Sequence, residues 1–308
     1  MEMTYKYCGR SGLKLSRIAL GFWHNFGHDP EQKGQTPEDY SRCKEIVHYA
    51  FDQGVTYFDL ANNYGPPAGA AEVCFGNILR DGLSAHRDEM IIATKAGYDM
   101  WPGPYGEWNS RKSLIASMDQ SLARLGVDYV DIFYSHRPDP NTPIQETMQA
   151  LVDIVRSGKA LYVGISKYPP ELAAKAYDYL EAHDVPCLVY QGKYNMMVRG
   201  DEAEILPQAA AAGVGYVAFS PLNQGLLTDR YLNGIPPHSR MATSRFLTPE
   251  ALTPEYHSFI GSVQAKAAEE GLTIAQYALR WVLRRDEVTS AIVGASSVEQ
   301  LRQNLESI

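Results

Sequence analysis

The chain has 308 residues, 45% hydrophobic and 21% charged, an ordinary globular composition that excludes a disordered or collagen-like chain. Its formal net charge of −8 leaves no basic footprint for nucleic acid or an anionic membrane. The length suits either two domains of about 150 residues or one eight-stranded barrel of roughly 250 residues or more.

In chain order, short β-rich runs begin at Arg17 (RIALGFW), Thr56 (TYFDLA), Met90 (MIIATKA) and Val130 (VDIFYSH). Four more begin at Ala160 (ALYVGIS), Cys187 (CLVYQG), Gly215 (GYVAFSP) and Val288 (VTSAIVGAS). Helical patterns lie between them. Cys43, Ile46, Val47, Ala50 and Phe51 form one apolar stripe, and Ile144, Met148, Leu151, Val152 and Val155 form another. Gly54, Gly126 and Gly158 punctuate helix ends. Eight apolar strands, each followed by a helix, predict a parallel sheet covered by helices and closed as an α/β (β/α)8 TIM barrel, with residues 1–308 as one domain. A doubly wound sheet would carry GxGxxG after its first strand, and GFWHNFG stands there instead. The longest insertion runs from Asn223 to about Thr253. Its length predicts a functional or mobile loop.

Cys8, Cys43, Cys74 and Cys187 form no CxxC pair or zinc-ribbon spacing. With an N-terminus that lacks an apolar signal stretch, they predict reduced thiols in a cytoplasmic protein. The longest apolar run, Ala209–Phe219, is interrupted by Gly213 and Gly215 and falls well short of the ~18 residues of a membrane span.

The predicted strand ends carry the chemistry. Asp59, Lys95 and His136 close three otherwise apolar strands, and each is costly to bury unpaired. Tyr64 follows Asp59 by five residues. Singly, each has a plain structural use: a turn cap for Asp59, a snorkelling stem for Lys95, a hydrogen-bonded core ring for His136, an aromatic contact for one of 20 tyrosines. Jointly, at one rim of a barrel, they predict a shared polar site. A metal site from Asp59, His136 and His24 lacks the HxH or HxxxH spacing that would support it. A Schiff-base reaction at Lys95 is a further reading.

These residues, in DLANNYG, ATKAG and YSHRP, resemble the tetrad of the aldo-keto reductases, NADPH-dependent (β/α)8 carbonyl reductases. GFWHNFG, DLANNYGPP, TKAGYDMWPGPYG, SGKALYVGIS and QGLLTDRYLNGIP are similar to the branch of bacterial L-glyceraldehyde-3-phosphate reductases and potassium-channel β-subunits. The resemblance implies reduction of small aldehydes, L-glyceraldehyde 3-phosphate and methylglyoxal among them, with NADP(H) as cofactor and Tyr64 as general acid. The acidic charge and the lack of a long apolar run predict no nucleic-acid or membrane partner, and the resemblance implies a homo-oligomer, tetramer or octamer. The alternative it carries is an NADPH-binding, redox-sensing subunit of the channel β-subunit type with slow turnover.

By position, the resemblance implies that Ser166 and Gln191 hold the nicotinamide carboxamide and that Phe219 stacks on the ring. Trp23 and Asp59 also face the cofactor. Ser220, Leu222, Gly225 and Leu226 start a loop around the pyrophosphate, and Arg230 and Arg240 reach phosphates. Gly294, Ser296, Gln300 and Asn304 hold the adenosine end. Trp23, His24, Asn63, Trp101 and Arg137 line the substrate pocket, with Trp108 nearby. A substrate phosphate would need a cation, and His24, Arg137 and Lys167 are the candidates. The chain departs from the family at Lys167, where Asn is usual, at Gly192, where Pro is common, at Gln303, where an acidic residue often stands, and in stopping at Ile308, where relatives carry a longer tail.

An ammonium near a phenol favours the phenolate. At ~4 Å and an effective dielectric of about 20 the attraction is roughly 4 kcal/mol before desolvation. Lys95 is therefore expected to lower the Tyr64 pKa from about 10 by one or two units, while Asp59 keeps Lys95 charged and His136 orients the carbonyl.

Overall fold

The computed structural model describes residues 3–27, 35–237, 239–243 and 246–307. The chain opens with an antiparallel hairpin, β1 (Tyr5–Tyr7) and β2 (Lys14–Ser16). Then come β3 (Ile18–Gly21), α1 (Pro37–Asp52), β4 (Tyr57–Asp59), α2 (Ala70–Ile78), β5 (Ile91–Ala96), α3 (Arg111–Leu125), β6 (Val130–Ser135) and α4 (Ile144–Arg156). β7 (Ala160–Ser166), α5 (Pro170–Glu181), β8 (Cys187–Lys193), α6 (Ile205–Ala211) and β9 (Gly215–Phe219) continue the alternation. After the insertion and its short α7 (Arg240–Thr243) come α8 (Pro254–Glu269), α9 (Ile274–Leu283), β10 (Val288–Val293) and α10 (Val298–Leu305). Strands β3 to β10 close into one parallel barrel, β10 pairing with β3. The eight predicted strands are all present and the (β/α)8 architecture stands.

Two cores follow from the period-two alternation of a strand. Outward side chains such as Ile18, Leu20, Phe58, Ile92, Phe133 and Val163 pack against the helices. Inward ones, Ala19, Tyr57, Ala93, Tyr134, Val189 and Val217, fill the barrel. The stripes on α1 and α4 face the outer core. Cys43, Ile46, Val47 and Ala50 are buried on α1, and Met148, Leu151 and Val152 on α4. Gly126 ends α3 in the left-handed conformation at φ +69°, as its cap position requires.

The sequence pattern did not reveal the hairpin. Its strands have three residues each, too few for a period to show. It plugs the N-terminal end of the barrel: Cys8 and Leu15 join the inner core, and the Arg10 N–H donates to Gly213 O at 2.8 Å. The opposite end is thereby left as the mouth. Two long helices, α8 and α9, follow the short α7 between β9 and β10, where one helix was expected. The described residues of the insertion are also packed together rather than extended. Leu226, Leu227, Tyr231, Met241 and Leu247 form an apolar cluster with Tyr256 and Ile260 of α8, and the Tyr256 hydroxyl donates to Leu226 O at 3.0 Å. All four cysteines are buried and free. No helix among the described residues is long and apolar enough to cross a membrane.

Candidate active site

β4, β5 and β6 are neighbours in the barrel, so their last inward positions converge. Asp59 follows Tyr57 at i+2, Lys95 follows Ala93, and His136 follows Tyr134, each one layer above an inward core residue. The pairing runs on past β4 through Leu60 N–H to Ala93 O (2.8 Å) and Asn62 N–H to Lys95 O (2.9 Å), and past β6 through His136 N–H to Ala96 O (2.9 Å). The backbone that carries the polar groups is thus still sheet-like.

Lys95 is fully buried and donates to Asp59 Oδ2 and to Leu60 O, both at 2.6 Å. Asp59 Oδ1 accepts from Gln191 Nε2 at 2.8 Å and from the Tyr57 hydroxyl at 3.2 Å. Three donors on one carboxylate offset the cost of burying the ion pair. Lys95 Nζ lies 5.0 Å from the Tyr64 ring centroid, and the Tyr64 ring meets the His136 ring edge-on at 5.8 Å. The four expected residues therefore share one mouth.

The expected pKa shift of Tyr64 is reversed. Its hydroxyl is pushed well above the ordinary phenol value, first by burial and then by the Asp59 carboxylate and Tyr98. Lys95 is paired with Asp59 at close range, and its attraction for a phenolate does not offset the cost of burying that charge beside the carboxylate. Burial also lowers the Lys95 pKa, against the raising effect of Asp59. His136 is held well below its usual value by burial and then by the Lys95, Lys167 and Arg137 charges. The site thus holds a protonated phenol and a neutral imidazole at neutral pH.

Tyr98, not singled out in the sequence, stands edge-on to His136 at 4.7 Å. Tyr57 and Tyr134 were missed as well. Their hydroxyls are bonded to each other at 2.8 Å beneath Asp59. The i−2 spacing from Asp59 and from His136 is the signal that could have found this pair.

Ser166 Oγ and His136 Nδ1 are buried without a hydrogen bond, as are Asn63 Oδ1 and Asn304 Nδ2. Ser166 pairs in register with Gln191. Gln191 differs from expectation in spending an amide N–H on Asp59, which ties the predicted carboxamide pocket to the carboxylate. Phe219 ends β9, half-exposed, and Ser220 follows at φ +53°. Leu222, Gly225 and Leu226 lie in the next turn. Arg230 is exposed, whereas Arg240 is partly buried with its guanidinium 4.8 Å from the Trp23 ring centroid. Gly294 follows β10 on the surface, and the Ser296 hydroxyl donates to Gln300 Oε1 at 2.9 Å.

Trp23 packs on His24 (4.1 Å) and on Phe246 of the insertion (5.4 Å), which folds that segment against the β3 end. Trp101 is exposed and makes no ring contact with Tyr64, His136 or Trp23 among the described residues. Arg137 is committed to the loop after β5. It donates to Gly97 O at 2.9 Å, pairs with Glu107 and stacks on Trp108 at 3.7 Å. Its expected role at the substrate pocket would be played by a cation already paired with a carboxylate. Six non-glycine residues near this end have positive φ: His24, Trp108, Lys167, Ser220, Asn223 and Gln224. Such strain concentrated around one mouth is typical of a functional site.

A sequence model of the Aldo/keto reductase family matches residues 17–308. The chain belongs to the aldo/keto reductase family. It is therefore an oxidoreductase of a family that uses nicotinamide cofactors. Among aldo/keto reductase relatives it is 51% identical to the L-glyceraldehyde 3-phosphate reductase of Escherichia coli K12, covering 100% of this chain and 88% of that protein. It is 35% identical to a probable voltage-gated potassium channel subunit beta of Arabidopsis thaliana, over 99% of this chain and 91% of the plant protein. A putative subunit of the same kind from Schizosaccharomyces pombe is 33% identical, over 100% of this chain and 88% of the yeast protein.

Proposed function

We propose that this protein reduces small aldehydes to primary alcohols with NADPH, Tyr64 giving the proton. The observation that carries the reading is the convergence of Tyr64, Lys95, Asp59 and His136 at one barrel mouth. The unsatisfied Ser166 Oγ, at the expected carboxamide position, and Asn304 Nδ2, at the expected adenine end, fit a dinucleotide laid from β7 across β9 to α10. Phe219 would stack on its ring, Arg230 and Arg240 would meet its phosphates, and Ser296 and Gln300 would take the adenosine 2′-phosphate. Bound NADPH supplies the hydride.

The remaining work falls to this chain. His136, neutral, donates from its ring nitrogen to the carbonyl oxygen and fixes its direction. Tyr64 keeps its proton in the resting site, because burial disfavours the phenolate. As negative charge grows on the substrate oxygen, that oxygen becomes the stronger base and takes the Tyr64 proton. Lys95, held by Asp59 and Leu60 O, faces the tyrosine ring and stabilises the phenolate left behind. Trp23 and Asn63 would wall the substrate side.

A second reading, an NADPH-retaining sensor subunit, is favoured by the 33–35% identity to the plant and yeast channel subunits. An NADPH-oxidation screen decides. L-glyceraldehyde 3-phosphate, methylglyoxal and aromatic aldehydes are offered to the purified protein. The reductase reading expects multiple turnovers, of order 1 s⁻¹ or faster, on at least one small aldehyde. Single-turnover behaviour with tight nucleotide retention on all of them contradicts it.

A further inference from the structure

Two cations lie against Tyr98, and they differ in what neutralises them. The Arg137 guanidinium lies 4.1 Å from the ring centroid and is paired with Glu107. Lys167 Nζ lies 4.7 Å from the same centroid and donates to the Tyr98 hydroxyl at 2.9 Å. No carboxylate lies within ion-pair distance of Lys167 among the described residues. Its Nζ is also 5.2 Å from the Phe219 centroid, and Tyr98 in turn touches the His136 ring. The exposed ammonium of Lys167 is thus one aromatic ring away from the imidazole that would hold the carbonyl.

The backbone adds a second observation. Lys167 sits at φ +61°, a left-handed conformation that favours Gly and Asn and costs a lysine strain. Its N–H is fastened to Gln191 O at 3.3 Å, so the strand end holds it in that conformation. The result points a long cationic side chain from the end of β7 across the mouth toward Tyr98 and Phe219. Its field reaches the reacting groups, lowering the proton affinity of both Lys95 and His136.

We infer that Lys167 is the residue that selects aldehydes bearing an anionic tail, a phosphate or a carboxylate, by a charge-assisted hydrogen bond from its Nζ. This rests on the reductase reading above and deepens it. The ammonium has donors to spare, because Tyr98 takes only one of its three. Arg137 would act on Tyr98 and Trp108 as a brace for the loop rather than on substrate.

The test compares wild type, Lys167→Gln and Lys167→Arg in NADPH-dependent steady-state kinetics. The substrates are glyceraldehyde 3-phosphate, succinic semialdehyde and uncharged glyceraldehyde, and NADPH affinity is measured for each protein by fluorescence titration. In Lys167→Gln the kcat/KM ratio of phosphorylated to uncharged glyceraldehyde should fall by about tenfold or more, through KM, as for one lost charge-assisted bond. Lys167→Arg should keep most of the ratio. A matching fall for succinic semialdehyde means that any anionic tail is read, and a fall for the phosphate alone means that phosphate is. An unchanged ratio in Lys167→Gln, or a loss accounted for entirely by weaker NADPH binding, overturns the assignment while leaving the reductase reading intact. Absence of turnover by wild type on every aldehyde overturns both.

Discussion

His136 shows what a single buried side chain does to the pH response of the whole fold. Its folded pKa lies well below the ordinary imidazole value of 6.5. Between those two values the unfolded chain binds a proton that the native one refuses. The His136 contribution to stability is therefore complete above pH 6.5 and erodes as pH falls through that value, by up to about 1.4 kcal/mol per pH unit. Urea unfolding at pH 5, 6 and 7 should show a shallower acid loss in His136→Asn than in wild type. Identical slopes would mean that the imidazole is free to protonate in the native state. At this scale the sequence was informative where an ionisable residue interrupts an apolar strand, as at Asp59 and Lys95. It was silent on Tyr98 and on the pairing of Arg137 with Glu107. Both arise from a loop whose path no periodicity encodes. The direction of the Tyr64 shift was also beyond it, because the sign depends on how deeply the hydroxyl is buried and on Asp59 and Tyr98 beside it.

At the scale of the element, the departure at Gly192 has a packing cause. A Cβ there would stand 2.2 Å from the Tyr216 hydroxyl and 2.3 Å from Asp201 Oδ2, the two ends of one hydrogen bond. β8 passes so close to this pair that only a glycine fits beside Gln191. Gly192→Ala should cost about 1–3 kcal/mol through overpacking and lower the Tm. An unchanged Tm would show that Tyr216 and Asp201 move aside freely. The barrel strands were legible because each is buried on both faces and reads as a continuous apolar run. β1 and β2 were not, being short and half-exposed. The insertion was read as a loop because its apolar residues, such as Leu226, Tyr231, Met241 and Leu247, follow no helical or strand period yet cluster in space.

The whole molecule separates stability from chemistry along the barrel axis. The hairpin closes the N-terminal end with Cys8 and Leu15, and the ionisable groups and most of the strained backbone gather at the other. Trp23, Phe246 and Arg240 bring the insertion over the end of β3, next to the expected cofactor path. In the proposed reaction Tyr64 delivers the proton at this mouth while other residues hold the nucleotide. The most direct measurement is Tyr64→Phe, with aldehyde-dependent NADPH oxidation and NADPH affinity determined on the same preparation. The expected result is a loss of about 10²–10⁴ in kcat, the range for removing a positioned general acid, with NADPH affinity retained. Wild-type turnover in that variant would contradict it.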